Sequence, residues 1–511
     1  GDTSIIPNKP PSAFTTTSTQ HRNKKKLMIL GVLVLLLVAA AVVAIVVVLA
    51  GKDDDDDGEE SSGIVENDDT PVQEQQQYQL FANPSKVKWR LKGQVVTDPL
   101  AITSTGDITN VEQTDLRLFA TSVAFVDDWL VVGTDRRAKV HIYRWDNSTT
   151  DSTTTATNMS ENGRWYEHTV LEPSAEEMAA YENETALDGT GQFRGTISQW
   201  GASVVLAHHR LAVGTGNQLG RILTYDYDES SDKWILHSQP ILSLQEDEKT
   251  GLSVTLSADG AVMAVGSSHY GIAQPADGTG LIRILEQKNA VSWTVQGQVT
   301  GFKSGDRVGS PMRLSADGQT LVSGNLLAHT ENGLASGIAW VWRRSKDDGE
   351  WNLLGKPLLG PKSRSFFGSR VQVSGDVVAV ISDQYRSDKA GIFVYEYVNS
   401  TSTPDNVDEE VWKLRGDVIE VERFANICLT ANGNILATVS SSGMGNFTIY
   451  QYRDENWETV GVVEDKSAIF GTDNLGYDIR CSLDGRAFAV GRLTYVDVGA
   501  VGVWEAVEVD E

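Results

Sequence analysis

A pattern that returns, with drift, about seven times constrains this chain more than any other feature. Its clearest copy runs from Phe367 to Gly416. Val371, Gln372 and Val373 alternate into a turn at Ser374-Gly375-Asp376, and a second apolar run covers Val377 to Ile381. A third strand, Ile392 to Tyr397, precedes a fourth at Val411 to Leu414. Four short strands joined by turn residues make one antiparallel sheet. Repetition at a period of about 45 to 65 residues predicts a β-propeller, because the two apolar faces of each sheet can be buried only against neighbouring blades.

Seven tryptophans index the outer strands: Trp89, Trp165, Trp234, Trp293, Trp351, Trp412 and Trp457, several in the frame W-x-x-x-G. Six are preceded by a third strand, and a seventh third strand, Val501 to Glu505, stands at the C-terminus with no tryptophan strand after it. Trp89 stands at the other end with no strands before it. The two half-blades complete one another. The fold expected is all-β: a seven-bladed propeller of four-stranded antiparallel blades, closed by pairing of the N- and C-terminal strands, with no propeller edge left open. Recurrent turns at Ser257 to Gly260, Ser315 to Gly318, Thr430 to Gly433 and Ser482 to Gly485 have Asp-Gly or Asn-Gly at their centres. Their acids read as turn formers, because these pairs tolerate positive φ.

The chain before the repeats divides into three. Residues 1–26 are polar, end in a basic cluster through Lys24 to Lys26, and carry no apolar period, so they read as a disordered cytosolic tail. Residues 27–50 are uncharged and apolar throughout, long enough for one transmembrane helix across about 30 Å of hydrocarbon. Lysines on one flank and Asp53 to Asp57 on the other make it an N-in signal anchor by the positive-inside rule. Residues 51–86 form an acidic, polar linker, and 87–511 the propeller. The propeller then lies outside the cell or in an organelle lumen, on the plasma membrane or an endomembrane.

Formal net charge of −26 argues against a nucleic-acid partner. Two cysteines, Cys428 and Cys481, exclude a disulfide-rich scaffold and a cysteine-based zinc site. They fall on the first strands of successive blades, one residue out of register, so they either converge on one blade interface, where they could form a disulfide, or lie far apart. The adjacent His208-His209 sits in a strand turn, where successive side chains are expected to diverge, a poor metal pair. No nucleophile elbow, HExxH or phosphate loop stands in its required context, so no catalytic residue is assigned.

Phe367-Gly368-x-x-Val371 and Trp200-Gly201-x-x-Val204, with the later Ala-Val-Gly of Ala212 to Gly214, Ala264 to Gly266 and Ala489 to Gly491, resemble FG-GAP repeats, the units of integrin-α-like propellers. Phe119-Ala120, Phe424-Ala425 and Leu475-Gly476 depart from Phe-Gly. The resemblance implies extracellular recognition or cell adhesion. In that family some loops carry an alternating Asp calcium motif; the loops Gly266 to Gly280 and Ser382 to Gly391 do not match it, so neither a metal nor another cofactor is assigned.

Loops joining second to third strands share one face of a propeller with those joining successive blades. Sequons at Asn147, Asn158 and Asn399 fall in third-to-fourth-strand loops of the other face, Asn183 in a blade-to-blade insertion, and Asn446 at the start of a third strand. The tether also enters on the glycan-bearing face, so the opposite face is the expected ligand face. Its candidates are Arg136, Arg137, Tyr270, Arg307, Arg364, Tyr385 and Arg386, suited to protein or glycan recognition. Two other readings remain: a surface or lumenal glycan hydrolase with carboxylates in the channel, and a non-catalytic scaffold.

Overall fold

The computed structural model describes Phe81 and residues 87–97, 119–134, 138–147, 163–174, 200–215, 220–244, 248–271, 278–289, 292–399, 410–440, 446–464, 475–492 and 499–508. Among these residues no helix is long and apolar enough to cross a membrane. The proposed anchor at 27–50, the tail before it and nearly all of the linker lie outside the described residues.

The described residues form seven antiparallel sheets, each beginning at its first strand and running outward in chain order. The inner strands are Phe119–Val126, Trp200–Ala207, Ser253–Leu256, Met312–Leu314, Phe367–Ser374, Ala425–Leu429 and Leu475–Cys481, and they begin blades 1 to 7 in that order. In blade 7 the outer strand is Val87–Leu91, which pairs antiparallel with Ala500–Glu508 from Val87 opposite Glu508 to Leu91 opposite Trp504. The ring is therefore a seven-bladed propeller closed by its two chain ends, as the half-blades require. All seven index tryptophans stand on outer strands. Second strands such as Val377–Ser382 and Trp129–Thr134 are buried along their whole length, because both of their faces meet neighbouring blades.

The W-x-x-x-G frame has a physical cause that one repeat alone does not reveal. Each of these glycines lies beneath a tryptophan of the next blade. A Cβ on Gly297 would come within 2.5 Å of Trp351, on Gly416 within 3.0 Å of Trp457, and on Gly461 within 2.4 Å of Trp89. Trp412 Nε1 donates to the Leu354 carbonyl at 3.0 Å, Trp457 Nε1 to Arg415 at 2.8 Å, and Trp165 Nε1 to Lys92 at 2.9 Å. In each case the acceptor precedes the glycine of the previous blade. Over five of the seven blade junctions the outer rim is thus a belt of indoles sitting in glycine notches; Thr169 and Ser238 stand at the glycine position of blades 1 and 2.

The two glycines of the inner repeat are also partners across an interface. Gly324, on a second strand, faces the Gly368 carbonyl of the next blade, where a Cβ would meet it at 2.3 Å; Gly133 faces Gly201 in the same way at 2.2 Å. Blade 6, where Phe424-Ala425 replaces Phe-Gly, lacks the bulge that shifts register between Phe367 and Val371, and its inner strand pairs without a break from Ala425 to Leu429.

Two sequence expectations need correction, and the cysteine alternatives are narrowed to one. Phe81, placed in the linker, is buried at 2% exposure, packs edge-on against Trp89 at 5.9 Å, and accepts a 2.7 Å hydrogen bond on its carbonyl from Arg453. The propeller therefore begins before residue 87, because the outer strand alone leaves the apolar end of blade 7 uncovered. The rings of His208 and His209 do not diverge: their centroids lie 3.9 Å apart, because His208 takes a left-handed φ of 47° that rotates its side chain toward its neighbour. The cysteines converge on the interface of blades 6 and 7, where Cys481 packs against the cluster holding buried Cys428, but both thiols are free. Burial, then the neighbouring Cys481 thiol, pushes the Cys428 pKa well up.

Candidate functional site

The turn acids are occupied within their turns. Asp259 Oδ1 accepts from the Ala261 amide at 2.9 Å and from Ser257 Oγ at 2.5 Å, and Asp317 does the same with Gln319 and Ser315. The turns also link blade to blade, as when the Ala258 amide donates to the Ala316 carbonyl at 2.7 Å. That face is held together by its own polar groups.

The opposite face is built differently. Two of its interblade loops are clamped from beneath by a buried acid. Glu248, fully buried, accepts the Leu244 amide at 2.7 Å; Asp306, 2% exposed, accepts the amides of Phe302 and Lys303 at 2.8 and 2.9 Å. In both loops the acid stands four residues after an apolar residue and fixes its backbone, leaving the side chain in water. Leu244, Leu252, Phe302, Leu327, Leu334 and Phe424 are all 38–64% exposed, and all stand in loops of this face across blades 2 to 6. Among the described residues only Leu483 is a comparably exposed large apolar side chain in a loop of the other face. These large apolar groups are exposed on one face, and at Leu244 and Phe302 the buried acids hold the backbone beneath them.

The sequence candidates fall around this surface with different roles. Arg364 is exposed, with a left-handed φ of 58°; Arg307, at φ 49°, and Tyr270 are half-buried. Tyr385 packs edge-on against Phe393 at 5.3 Å and covers Gly391, so it is largely a support for blade 5. Arg386 lies 5.6 Å over the Tyr385 ring and 2.9 Å from a Glu420 carboxylate oxygen. Arg423 stands 5.1 Å over the Phe424 ring. Arg136 and Arg137 lie outside the described residues, as do Asn158 and Asn183. Asn147 is exposed just past its third strand, Asn399 ends one, and Asn446 begins one.

The inner strands carry polar residues that the sequence reading missed. Strand register places Arg313, Gln372, Cys428 and Arg480 at equivalent positions of inner strands, each paired one residue beyond Met312, Val371, Ile427 and Ile479. Arg370 and Asp478 stand two residues nearer the apolar face. Polar side chains here bind the next blade's backbone: Gln372 Nε2 donates to Ile427 O at 2.7 Å, and Asp478 Oδ2 accepts the Val123 amide at 3.1 Å. Each arginine donates to a carbonyl of its own strand: Arg313 to Met312 at 2.9 Å, Arg370 to Ser369 at 2.8 Å, Arg480 to Ile479 at 3.2 Å. Burial, and then repulsion from Arg480, pushes the Arg313 pKa down to about 9, with Asp478 opposing and Arg370 adding to the shift. Asp383, near Arg370 and Arg423, has its pKa raised by burial against the pull of both arginines.

Asp478 is held by Arg480 Nη1 at 2.9 Å and by backbone amides. No group of three His, Cys, Asp or Glu side chains among the described residues is placed to hold a metal ion.

No family model matches the chain. No curated protein matches it. Among solved structures, a chain from one titled "Crystal Structure of Mitotic Checkpoint Complex" is similar at 14% identity and a TM-score of 0.44, over 81% of this chain and 93% of that one. A likeness that weak carries no argument about this protein.

Proposed function

We propose that this chain is a membrane-anchored recognition module whose propeller, outside the cell or in a lumen, binds a protein partner through the face bearing Phe302, Leu334 and Phe424. The observation that carries this reading is the segregation of exposed apolar loop residues onto that face. Aromatic and leucine anchors beside Arg364 and Arg423 suit a protein surface with an apolar centre and acidic flanks. The uncharged segment 27–50 supports the anchor, and the lysines before it support an N-in orientation. The glycine partners Gly324 and Gly368 supply a packing reason for the residues that resemble FG-GAP repeats. In an oxidising compartment the adjoining Cys428 and Cys481 would form a disulfide closing a loop of roughly 50 residues, worth about 4 kcal/mol in the chain-entropy model.

The test displays the full chain on cells and screens it against cell-surface proteins and polysaccharides. Saturable protein binding, reduced at least ten-fold by Phe302→Ala with Phe424→Ala and unchanged by Leu483→Ala, supports the reading. Binding to polysaccharide alone, or protein binding that survives the double variant, overturns it.

A further inference from the structure

Three neighbouring loops of the apolar face are joined into one hydrogen-bonded platform. They are 301–311 between blades 3 and 4, 326–337 between the second and third strands of blade 4, and 360–366 between blades 4 and 5. Asn325 Nδ2, at the root of the middle loop, donates to the Gly305 and Asp306 carbonyls, both at 2.9 Å, and Lys303 Nζ donates to the His329 carbonyl at 3.4 Å. On the other side Asn332 Nδ2 donates to Gly360 O at 2.8 Å, the Arg364 amide to Leu334 O at 2.7 Å, and Ser365 Oγ to Ser336 O at 2.7 Å. The middle loop is also tied to itself: the Leu327 amide donates to Asn325 Oδ1 at 3.0 Å and the Ala335 amide to His329 Nδ1 at 2.9 Å. The backbone beneath each large apolar side chain is thereby fixed, while Phe302, Leu327 and Leu334 are each more than half exposed.

The charge of this platform opposes that of the chain. Lys303, Lys362 and Arg364 are exposed, and among the described residues none of them forms an ion pair with a carboxylate. The three loops hold two acids, of which Asp306 is buried and bonded to amides, leaving only Glu331 in solvent. A net charge of −26 makes such a cationic patch an exception on this protein. Pinned apolar side chains lose little ordering entropy on contact, and cations beside them select carboxylates. We propose that the platform docks an acidic segment of a partner protein. A large apolar side chain of that segment seats against Phe302, Leu327 and Leu334, and its carboxylates meet Lys303, Lys362 and Arg364. The inference rests on the reading of this face given above and narrows its partner. The field of the rest of the chain repels such a segment, so its attraction is confined to the platform.

The experiment measures fluorescence anisotropy of synthetic peptides titrated with the purified full chain in detergent. The probes are a peptide of glutamates flanking Trp-Leu, the same peptide with serine or with lysine for every glutamate, and one keeping the glutamates with Ser-Ser for Trp-Leu. Saturable binding of the first is expected, at least ten-fold tighter than of the other three. It should weaken ten-fold or more in Lys362→Glu with Arg364→Glu, and in Leu334→Ser, and should not change in Lys346→Glu, exposed in the turn between the third and fourth strands of blade 4. Lys362→Glu alone decides the matter if the paired variant does not fold. Equal binding of the serine peptide, lost in Leu334→Ser, overturns the acidic partner while the reading of the face stands. Preference for the lysine peptide, binding that survives every platform variant, or no binding of the first peptide also overturns the proposal. The face itself is judged separately by Phe302→Ala with Phe424→Ala on cells.

Discussion

Replacing Gly461 by alanine should loosen the closure of the ring. The new Cβ would lie 2.4 Å from Trp89 Nε1, 2.8 Å from Trp89 Cδ1 and 3.2 Å from Ile449 Cδ1. Trp89 cannot yield by a rotamer change alone, since its ring also packs against Phe488 at 5.1 Å and Phe81 at 5.9 Å. Overpacking of this kind costs about 1–3 kcal/mol. Losing a glycine from the unfolded chain returns about 0.4–1 kcal/mol, so overpacking wins and the net loss is about 1–2 kcal/mol. At about 2.1 cal/mol/K per residue, the unit Gln77–Glu511 has an unfolding entropy of about 0.9 kcal/mol/K, which makes the shift in Tm only about 1–2 °C. Local opening is the sharper assay. Hydrogen exchange at Val87–Leu91, whose one strand pairing among the described residues is with Ala500–Glu508, should accelerate before exchange elsewhere. In a Trp89→Leu background the same Gly461→Ala change should become neutral or mildly stabilising. Costs that simply add in the double variant, or unchanged exchange at Val87–Leu91, would refute the notch mechanism.

Two further outcomes follow from Asp383 and from the thiols. Burial raises the Asp383 pKa above its ordinary 3.8, so between that value and the raised one the folded state holds more protons than the unfolded state. Stability measured by urea midpoints should therefore fall as pH rises through that window, and Asp383→Asn should flatten the slope; a slope of the opposite sign contradicts the assignment. For the cysteines, chain made through a secretory pathway and denatured without reductant should show no free thiol and should lose mass at Asn147 and Asn399 with a glycosidase. Two free thiols and no glycan would contradict the lumenal placement.

The architecture was legible because a propeller advertises its period. The seven tryptophans and the half-blades at either end are each local patterns, and closure follows from counting them. Boundaries were less legible: Phe81 looks like part of a polar linker until Trp89 and Arg453 surround it. The cysteine geometry was half legible, since alternation restricts each side chain to one face but does not bring two strands together. Topology alone picks out the face proposed to bind, yet the residues the sequence marks there are polar. Tyr385 and Arg386 turn out to be engaged within blade 5, whereas Phe302 and Leu244 stand free because Asp306 and Glu248 hold the loops beneath them. The inner-strand arginines escaped notice because they are scattered over three blades. Aligning the repeats on their turns would have found two of them: Arg313-Leu-Ser and Arg480-Cys-Ser stand at the same distance before Asp317-Gly318 and Asp484-Gly485.

The central claim, that the face carrying the apolar loops is the one that binds, is tested most directly by covering that face with a glycan. Leu334→Asn creates a sequon with Ala335 and Ser336 at an exposed position of this face. Cells displaying that chain, occupied at the new site and compared with the parent glycosylated at Asn147 on the opposite face, are measured for binding to cell-surface proteins. The account predicts that the added glycan abolishes binding while the one at Asn147 leaves it intact. Full binding with the new glycan in place would show that the partner docks elsewhere.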